Sequence, residues 1–193
     1  SDHGEMLGDH NLWRKTYGYE GSARIPCVVR FPQGAEWTRN QEIEQVVGWE
    51  DLMPTFLDLA GAEIPETVEG QSLLPLLRGE TEGWRDYYHG EHSPCYHPEN
   101  ANQFLTDGKW KYIWNPITGE EQLFHMEVDP DECVDLAGEA EHVEMLLVWR
   151  GRMVKELEGR DEGLSDGEKL IPGPVPVQRG GDPNDVHLGY IGT

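Results

Sequence analysis

The sequence predicts an α/β protein with α+β content inside this stretch. It reads as the closing part of a larger sheet-and-helix domain, followed by a small antiparallel sheet covered by a C-terminal helix. Three observations carry this. A proline-bounded, β-rich run from Ile25 to Pro32 precedes an apolar helical pattern from Val46 to Leu59. Two β-rich runs, 102–106 and 109–114, flank Asp107-Gly108, a strong hairpin signal. From Glu139 to Leu157, apolar residues recur at steps of three and four, as on an amphipathic helix.

Each element follows in order. Residues 1–24 are polar and glycine-dense, and Ile25 to Pro32 reads as a buried strand. Gly34 to Gln45 is polar and loop-like. In the next helix Val46, Leu52, Met53, Phe56, Leu57 and Leu59 fall near helical spacing. Pro54 fits a first helical turn, which places the start near Asp51, and Gly61 is a natural stop. Ile64 to Gly70 is a loop, and Ser72 to Leu77 is a short apolar turn or helix ending at Gly79. Asp86 to His92 (DYYHGEH) has β character, and Gln122 to Met126 adds a strand to the sheet begun by the hairpin. On the last helix Val143, Leu146, Leu147, Arg150, Val154 and Leu157 form the expected stripe. The segment from Gly159 is rich in Gly, Pro and charge, and Ile171 to Val177 is extended. The domain reading is therefore 1–80, 84–158 and an extended tail, 159–193. The first block has one clear strand, and one strand makes no sheet. It needs partner strands that this sequence does not supply, so a fragment is expected.

Length and charge bound the function. At about 150 residues per domain, 193 residues make one domain, or one and a fragment. The formal net charge of -22 argues against a nucleic-acid partner, whose footprint is basic, and disfavours an anionic membrane. No apolar run approaches the roughly 20 residues of a membrane helix. Cys27, Cys95 and Cys133 are odd in number and widely spaced, which suggests no disulfide framework or zinc knuckle; free, mostly buried thiols are expected. Ser1 to Asp9 has neither the basic start nor the apolar stretch of a signal peptide, and the compartment stays open.

The first fifteen residues hold Asp2, His3, Asp9, His10 and Lys15. Carboxylates suit hard cations such as Ca²⁺, and imidazole completes a metal shell or donates to an anion. Lys15 is a point charge fit for a sulfate or phosphate oxygen. By composition alone this could equally be a polar N-terminus with chance histidines. The order is more specific. Ser-Asp-His-Gly-Glu-Met-Leu-Gly-Asp-His, then Leu-Trp-x-Lys, then Tyr-Glu-x-Ser-x-Arg-Ile-Pro, spans Ser1 to Pro26. It resembles the second signature region of the type I sulfatases (arylsulfatases) of the alkaline phosphatase-like superfamily. The resemblance extends through Asp51 to Gly61, Gly70 to Leu77, Thr106 to Ile113, Glu121 to Phe124 and Asp129 to Glu132, about residues 1–158 in all.

The resemblance implies the end of an alkaline phosphatase-like large domain plus a C-terminal subdomain, and a set of roles. Asp2 and His3 match the late pair of ligands to a divalent cation, usually Ca²⁺. Lys15 matches the lysine that contacts the sulfate and steadies the leaving oxygen. His10 is either a substrate contact or structural, and Arg24 is read as a structural ion pair with Glu20. The family's nucleophile is a formylglycine made from Cys or Ser in a Cys/Ser-x-Pro-x-Arg motif. No cysteine or serine of these 193 residues stands in that motif, and the early acidic metal-binding pair is missing too. Formylglycine is therefore expected upstream, and this chain alone is expected to be inactive. The implied substrate is an aryl or carbohydrate sulfate ester, and the implied partner is the N-terminal part of the same enzyme. A phosphonate or phosphate ester hydrolase of the same superfamily shares these motifs. A non-catalytic binding module is the rival from another class.

Other residues invite readings. His89 and His92 fall on opposite faces of a strand, so they make no zinc site. Glu91, His92 or His97 could instead line a substrate cleft, against the plainer reading of an edge strand and loop. Trp110, Tyr112 and Trp114 share a strand face and pack on the last helix or offer a sugar or aryl platform. Thr118 to Glu121 reads as surface loop, and Asp129, Asp131, Glu132 and Asp135 as a solvated turn without EF-hand spacing.

Overall fold

In the computed structural model the described residues are 1–31, 33–34, 37, 39–93 and 100–173. They form two compact units. One contains Ser1–Pro26 and the described residues from His89 onward; the other is Cys27–Tyr88.

The first unit is built on a four-stranded sheet: β1 (Tyr88–His92), β2 (Asn102–Thr106), β3 (Trp110–Trp114) and β4 (Glu121–His125), in the order β1-β2-β3-β4. The strands β2 and β3 pair antiparallel with Gln103 opposite Trp114, joined at Asp107-Gly108 as the dipeptide predicts. The strands β3 and β4 pair with Trp110 opposite His125. Strand alternation gives the sheet two different faces. One carries Leu105, Trp110, Tyr112, Trp114 and Leu123; Tyr112, Leu105 and Leu123 are wholly buried. The helix α4 (Val143–Glu156) covers this face, with Trp149, Met153 and Leu157 buried. The other face carries Phe104, Lys111, Ile113 and Phe124, against which Tyr19 and Gly18 pack. The N-terminal segment thus covers the face opposite α4.

Several expectations change. The buried stripe of α4 runs through Leu146, Trp149, Met153 and Val154, while Val143 and Leu147 are exposed. A clamp holds Arg150 to the sheet: Glu121 accepts both Arg150 Nε and Nη2 at 2.6 Å and also the Tyr112 hydroxyl. Burial, then the Glu121 contact, pushes the Tyr112 phenol far above its ordinary range, so it remains a donor. Glu121 is therefore no surface-loop residue. Trp110 stacks on His125, with centroids 4.3 Å apart, and lies 5.9 Å from the His142 ring; both contacts occupy it structurally. Cys27 and Cys133 are exposed rather than buried, and Cys95 lies outside the described residues. Beyond α4, Ser165 Oγ donates to the Val154 carbonyl and Gly173 N–H to that of Pro116. Most of the expected extended run, from residue 174 on, lies outside the described residues. Among the described residues no helix is long and apolar enough to cross a membrane.

The second unit contains α2 (Leu52–Leu59), preceded by a 3₁₀ turn at Trp49–Asp51, and the single turn α3 (Leu74–Leu77). Pro54 sits in the first turn of α2, where its missing N–H costs nothing. Leu73, Leu74, Leu76 and Leu77 form the core, with Phe31, Trp37, Val47, Leu52 and Trp84 against it. The expected strand at 25–32 does not form: Cys27–Phe31 is irregular and Val28 is 89% exposed. A strand needs a ladder, and no described residue supplies one. Met53, Phe56 and Leu59 of α2 are exposed as well.

Asp51 organises this unit. It is fully buried and accepts from Gly48 N–H at 2.8 Å and Gln71 N–H at 2.9 Å. Arg85 pairs with Asp51 and, at 2.9 Å, with Glu50. Removing one partner of a buried pair strands the other. Asp51→Ala is expected to lower stability by about 3–5 kcal/mol in chemical denaturation. Glu82→Ala, at an exposed position, stays within about 0.5 kcal/mol.

Candidate metal and anion centre

The segment Ser1–Arg24 folds back on itself through the backbone. Met6 N–H donates to Arg14 C=O at 2.9 Å, Gly8 N–H to Leu12 C=O at 2.9 Å, and Gly4 N–H to Ser22 C=O at 2.8 Å. Leu7, His10, Asn11, Arg14 and Thr16 all take positive φ. Such non-glycine conformations cost about 1–3 kcal/mol each and persist only where surroundings over-determine them. Here the fully buried Met6 side chain and the hydrogen bonds above do so. At Gly4 a Cβ would lie 2.1 Å from the Gly21 carbonyl oxygen, so only glycine permits this closure.

This fold sets Asp2 and His3 side by side. His3 Nδ1 lies 2.6 Å from the Gly4 carbonyl oxygen. A carbonyl only accepts, so Nδ1 donates to it, and in the neutral ring Nε2 is the nitrogen left with a lone pair. Nε2 lies 3.6 Å from Asp2 Oδ2. In the neutral ring this sets a nitrogen lone pair and a carboxylate oxygen close enough to ligate one cation. Locking the distal ring nitrogen to a backbone carbonyl is also how metal-bound histidines are oriented. Asp2 is held below the usual carboxylate range, chiefly by its own backbone N–H, then by His3, with Lys15 adding to the effect. Among the described residues no three His, Cys, Asp or Glu side chains gather as a metal cluster. Asp2 and His3 are thus a two-ligand arrangement that fits a divalent cation and needs further ligands to close the shell.

The charge of Lys15 acts on Asp2 and also on His92. Alternation along β1 explains the second effect. His89 Nε2 donates to Gln103 Oε1 (2.7 Å) and Nδ1 lies 3.6 Å from Glu156 of α4. Glu91, on the same side, pairs with Arg160 at 2.8 Å. Gly90 and His92 point the other way, and Gly90 leaves room for the Phe104 ring, 2.1 Å from where a Cβ would sit. His92 therefore shares the sheet face of the N-terminal segment, while Glu91 belongs to the opposite face. Burial first, and the Lys15 charge after it, lower the His92 pKa against the opposing Ser93 backbone, so the ring is neutral at pH 7. His10 stacks on Tyr19 at 4.1 Å and its Nε2 lies 3.2 Å from the Asp131 carbonyl, contacts that tie it to the 129–135 turn. Arg24 pairs with Glu20 at 3.4 Å, as read from sequence. His97 lies outside the described residues.

Sequence reasoning missed two groups. Ser22 is buried; its carbonyl holds Gly4, next to His3, and its hydroxyl accepts the N–H groups of Thr16 (3.1 Å) and Tyr17 (3.3 Å), next to Lys15. It joins the two halves of the centre. Glu132 is buried on Lys111, not solvated with its acidic neighbours. Burial pushes its pKa up against the Lys111 charge. The available signal was Lys111 itself, a cation amid the aromatic residues of a strand, which requires a buried anion.

In an NMR pH titration the His92 midpoint falls below 6.5, its ordinary value. Lys15→Met removes a cation that disfavours the imidazolium, so the midpoint rises. No movement on that substitution contradicts an effect of the Lys15 charge on His92.

Comparison with known proteins places the chain in a family. The family described as N-sulphoglucosamine sulphohydrolase, C-terminal, matches residues 8–159. An arylsulfatase of Clostridium perfringens is 43% identical over 174 residues, covering 90% of this chain and 36% of that protein. A protein solved in complex with its substrate D-glucosamine-2-N,6-O-disulfate superposes with TM-score 0.66 at 28% identity, covering 81% of this chain and 33% of that one. The phosphonate monoester hydrolase of Silicibacter pomeroyi gives TM-score 0.70 at 27% identity, covering 84% and 35%. The chain thus spans about a third of the length of these relatives. With four-fifths of its residues inside that match, this chain belongs to the sulfatase family, as a C-terminal portion.

Proposed function

We propose that this chain is the C-terminal part of a sulfatase that hydrolyses sulfate monoesters, aryl or carbohydrate. In this reading residues 1–80 belong to the catalytic domain, 84–158 form the C-terminal subdomain and 159–193 the tail. The remainder of the enzyme supplies the formylglycine nucleophile and the other metal ligands. The carrying observation is His3 Nε2 set 3.6 Å from the Asp2 carboxylate, with the charge of Lys15 acting on the same carboxylate.

The chain's own residues have separable tasks. Asp2 and His3 would hold a divalent cation, Ca²⁺ in the usual case; when bound, that ion supplies positive charge to neutralise the sulfate oxygens. His3 is kept in the ligating tautomer by the Gly4 carbonyl. Lys15 brings a point charge to the sulfate and steadies the negative charge that develops on the leaving oxygen. His92, neutral at pH 7, offers a hydrogen bond to substrate without adding charge. Glu91 is engaged by Arg160 and His10 by Tyr19 and Asp131, which favours supporting roles for both.

A second reading, hydrolysis of a phosphonate or phosphate ester, is favoured by the likeness to the phosphonate monoester hydrolase. Asp2, His3 and Lys15 suit either tetrahedral anion. The binding-module reading gains nothing from a charge of -22 if its ligand is a sulfated polymer.

An assay of aryl sulfate hydrolysis with added Ca²⁺ separates these. This chain alone is expected to show no turnover, and the longer enzyme to turn over and to lose activity on chelation. In the longer enzyme Lys15→Ala lowers kcat at least about 100-fold, the scale of losing one charge-stabilising donor. Turnover by this chain alone contradicts the assignment. Faster cleavage of a phosphonate ester than of the sulfate ester replaces the first reading with the second.

A further inference from the structure

We propose that Lys111, remote from the candidate centre in sequence, is a positioning residue for it, acting through Glu20, Glu132 and Ser22. Lys111 sits in the middle of β3 with no solvent exposure. A buried ammonium is retained only where it is compensated. Its Nζ lies 2.5 Å from Glu20 Oε1 and 2.9 Å from Glu132 Oε1, with the Phe104 ring centroid at 5.7 Å. The other oxygen of Glu132 accepts the Glu20 backbone N–H at 2.6 Å. Glu132 does this from a positive-φ conformation, φ 54°, which an L-residue adopts only when held there. Lysine and carboxylate together therefore grip both the side chain and the backbone of Glu20, the first residue of the single turn α1 (Glu20–Ala23).

That turn carries Ser22. From Ser22 one contact runs to Gly4, beside His3, and two run to Thr16 and Tyr17, beside Lys15. A second tie from the sheet, Asn102 Nδ2 to the Thr16 carbonyl at 2.8 Å, restrains the same end of the loop. The β3 lysine thus fixes the turn against which both the dyad and Lys15 are registered. A well-packed apolar side chain of similar size serves stability alone as well as a buried ion pair does. What Lys111 adds is a fixed address for Glu20. The positional part of this inference stands on the contacts; its catalytic meaning rests on the sulfate-ester hydrolysis proposed above.

Amide hydrogen exchange on this chain tests the positional part. The reporters are the amides of Gly4, Thr16 and Tyr17, which bond to Ser22, against the ladder amides of β2 and β3. In Lys111→Met the first set is expected to lose protection at least tenfold more than the second. Lys111→Arg, which keeps the cation, restores most of it. Arg150→Met, which breaks the clamp on the other sheet face, lowers both sets together. Equal loss in both sets in Lys111→Met, or none, overturns the proposal. Where Lys111→Met leaves no ladder protection, Glu132→Met, which removes the acceptor for Glu20 N–H, decides by the same criterion.

In the longer enzyme, Lys111→Met is expected to lower kcat for an aryl sulfate at least tenfold with KM changed less than threefold. A kcat within twofold of the parent overturns the catalytic meaning. A parent enzyme without sulfatase activity removes the functional reading and leaves the exchange result standing.

Discussion

The two ends of the candidate centre are registered on one buried serine. Ser22 accepts two backbone N–H groups on its hydroxyl and a third on its carbonyl, and these come from residues flanking Lys15 and His3. The constraint is severe because the loop between contains five non-glycine residues with positive φ. Left to itself such a loop relaxes to commoner backbone conformations. The glycine at position 4, the buried Met6 and the turn at Glu20–Ala23 all serve that one closure.

The sheet then acts as a partition. Each strand sends alternate residues to two unlike surroundings. One face is apolar and aromatic, clamped to α4 by Arg150 and Glu121. The other bears Lys111, Phe104, Ile113 and, from β1, His92, and receives the N-terminal segment. The period of two decides which polar residues can take part in chemistry. His92 falls on the side that receives the N-terminal segment and Glu91, one residue earlier, does not. The first unit therefore joins residues about ninety apart in sequence, and the dyad and Lys15 lie with the sheet rather than with Cys27–Tyr88.

Local signals were legible where local physics decides. Asp107-Gly108 gives the hairpin, Pro54 and Gly61 bracket α2, and the alternation of Trp110, Tyr112 and Trp114 places them on one face. The signature order from Ser1 to Pro26 identified the family. What failed was long-range. The β-rich run at 25–32 lacks its ladder, because pairing depends on strands far away in sequence or outside this chain. The buried stripe of α4 runs through Trp149 and Met153 rather than Val143 and Leu147, because the side that meets the sheet is settled by packing against strands elsewhere in the sequence. Glu132 looked solvated among Asp129, Asp131 and Asp135, and only the position of Lys111 shows why it is buried. Ser22 gave no signal beyond its place in the motif, since its partners are backbone groups that sequence does not mark.

The most direct measurement is a crystal structure of the longer enzyme grown with Ca²⁺ and a slowly turned-over sulfate ester. The expected result is a cation bound by an Asp2 carboxylate oxygen and His3 Nε2, with Lys15 Nζ within hydrogen-bond distance of a sulfate oxygen. A cation bound without those two atoms, or a sulfate that Lys15 does not reach, would contradict the assignment of this loop as the metal and anion centre.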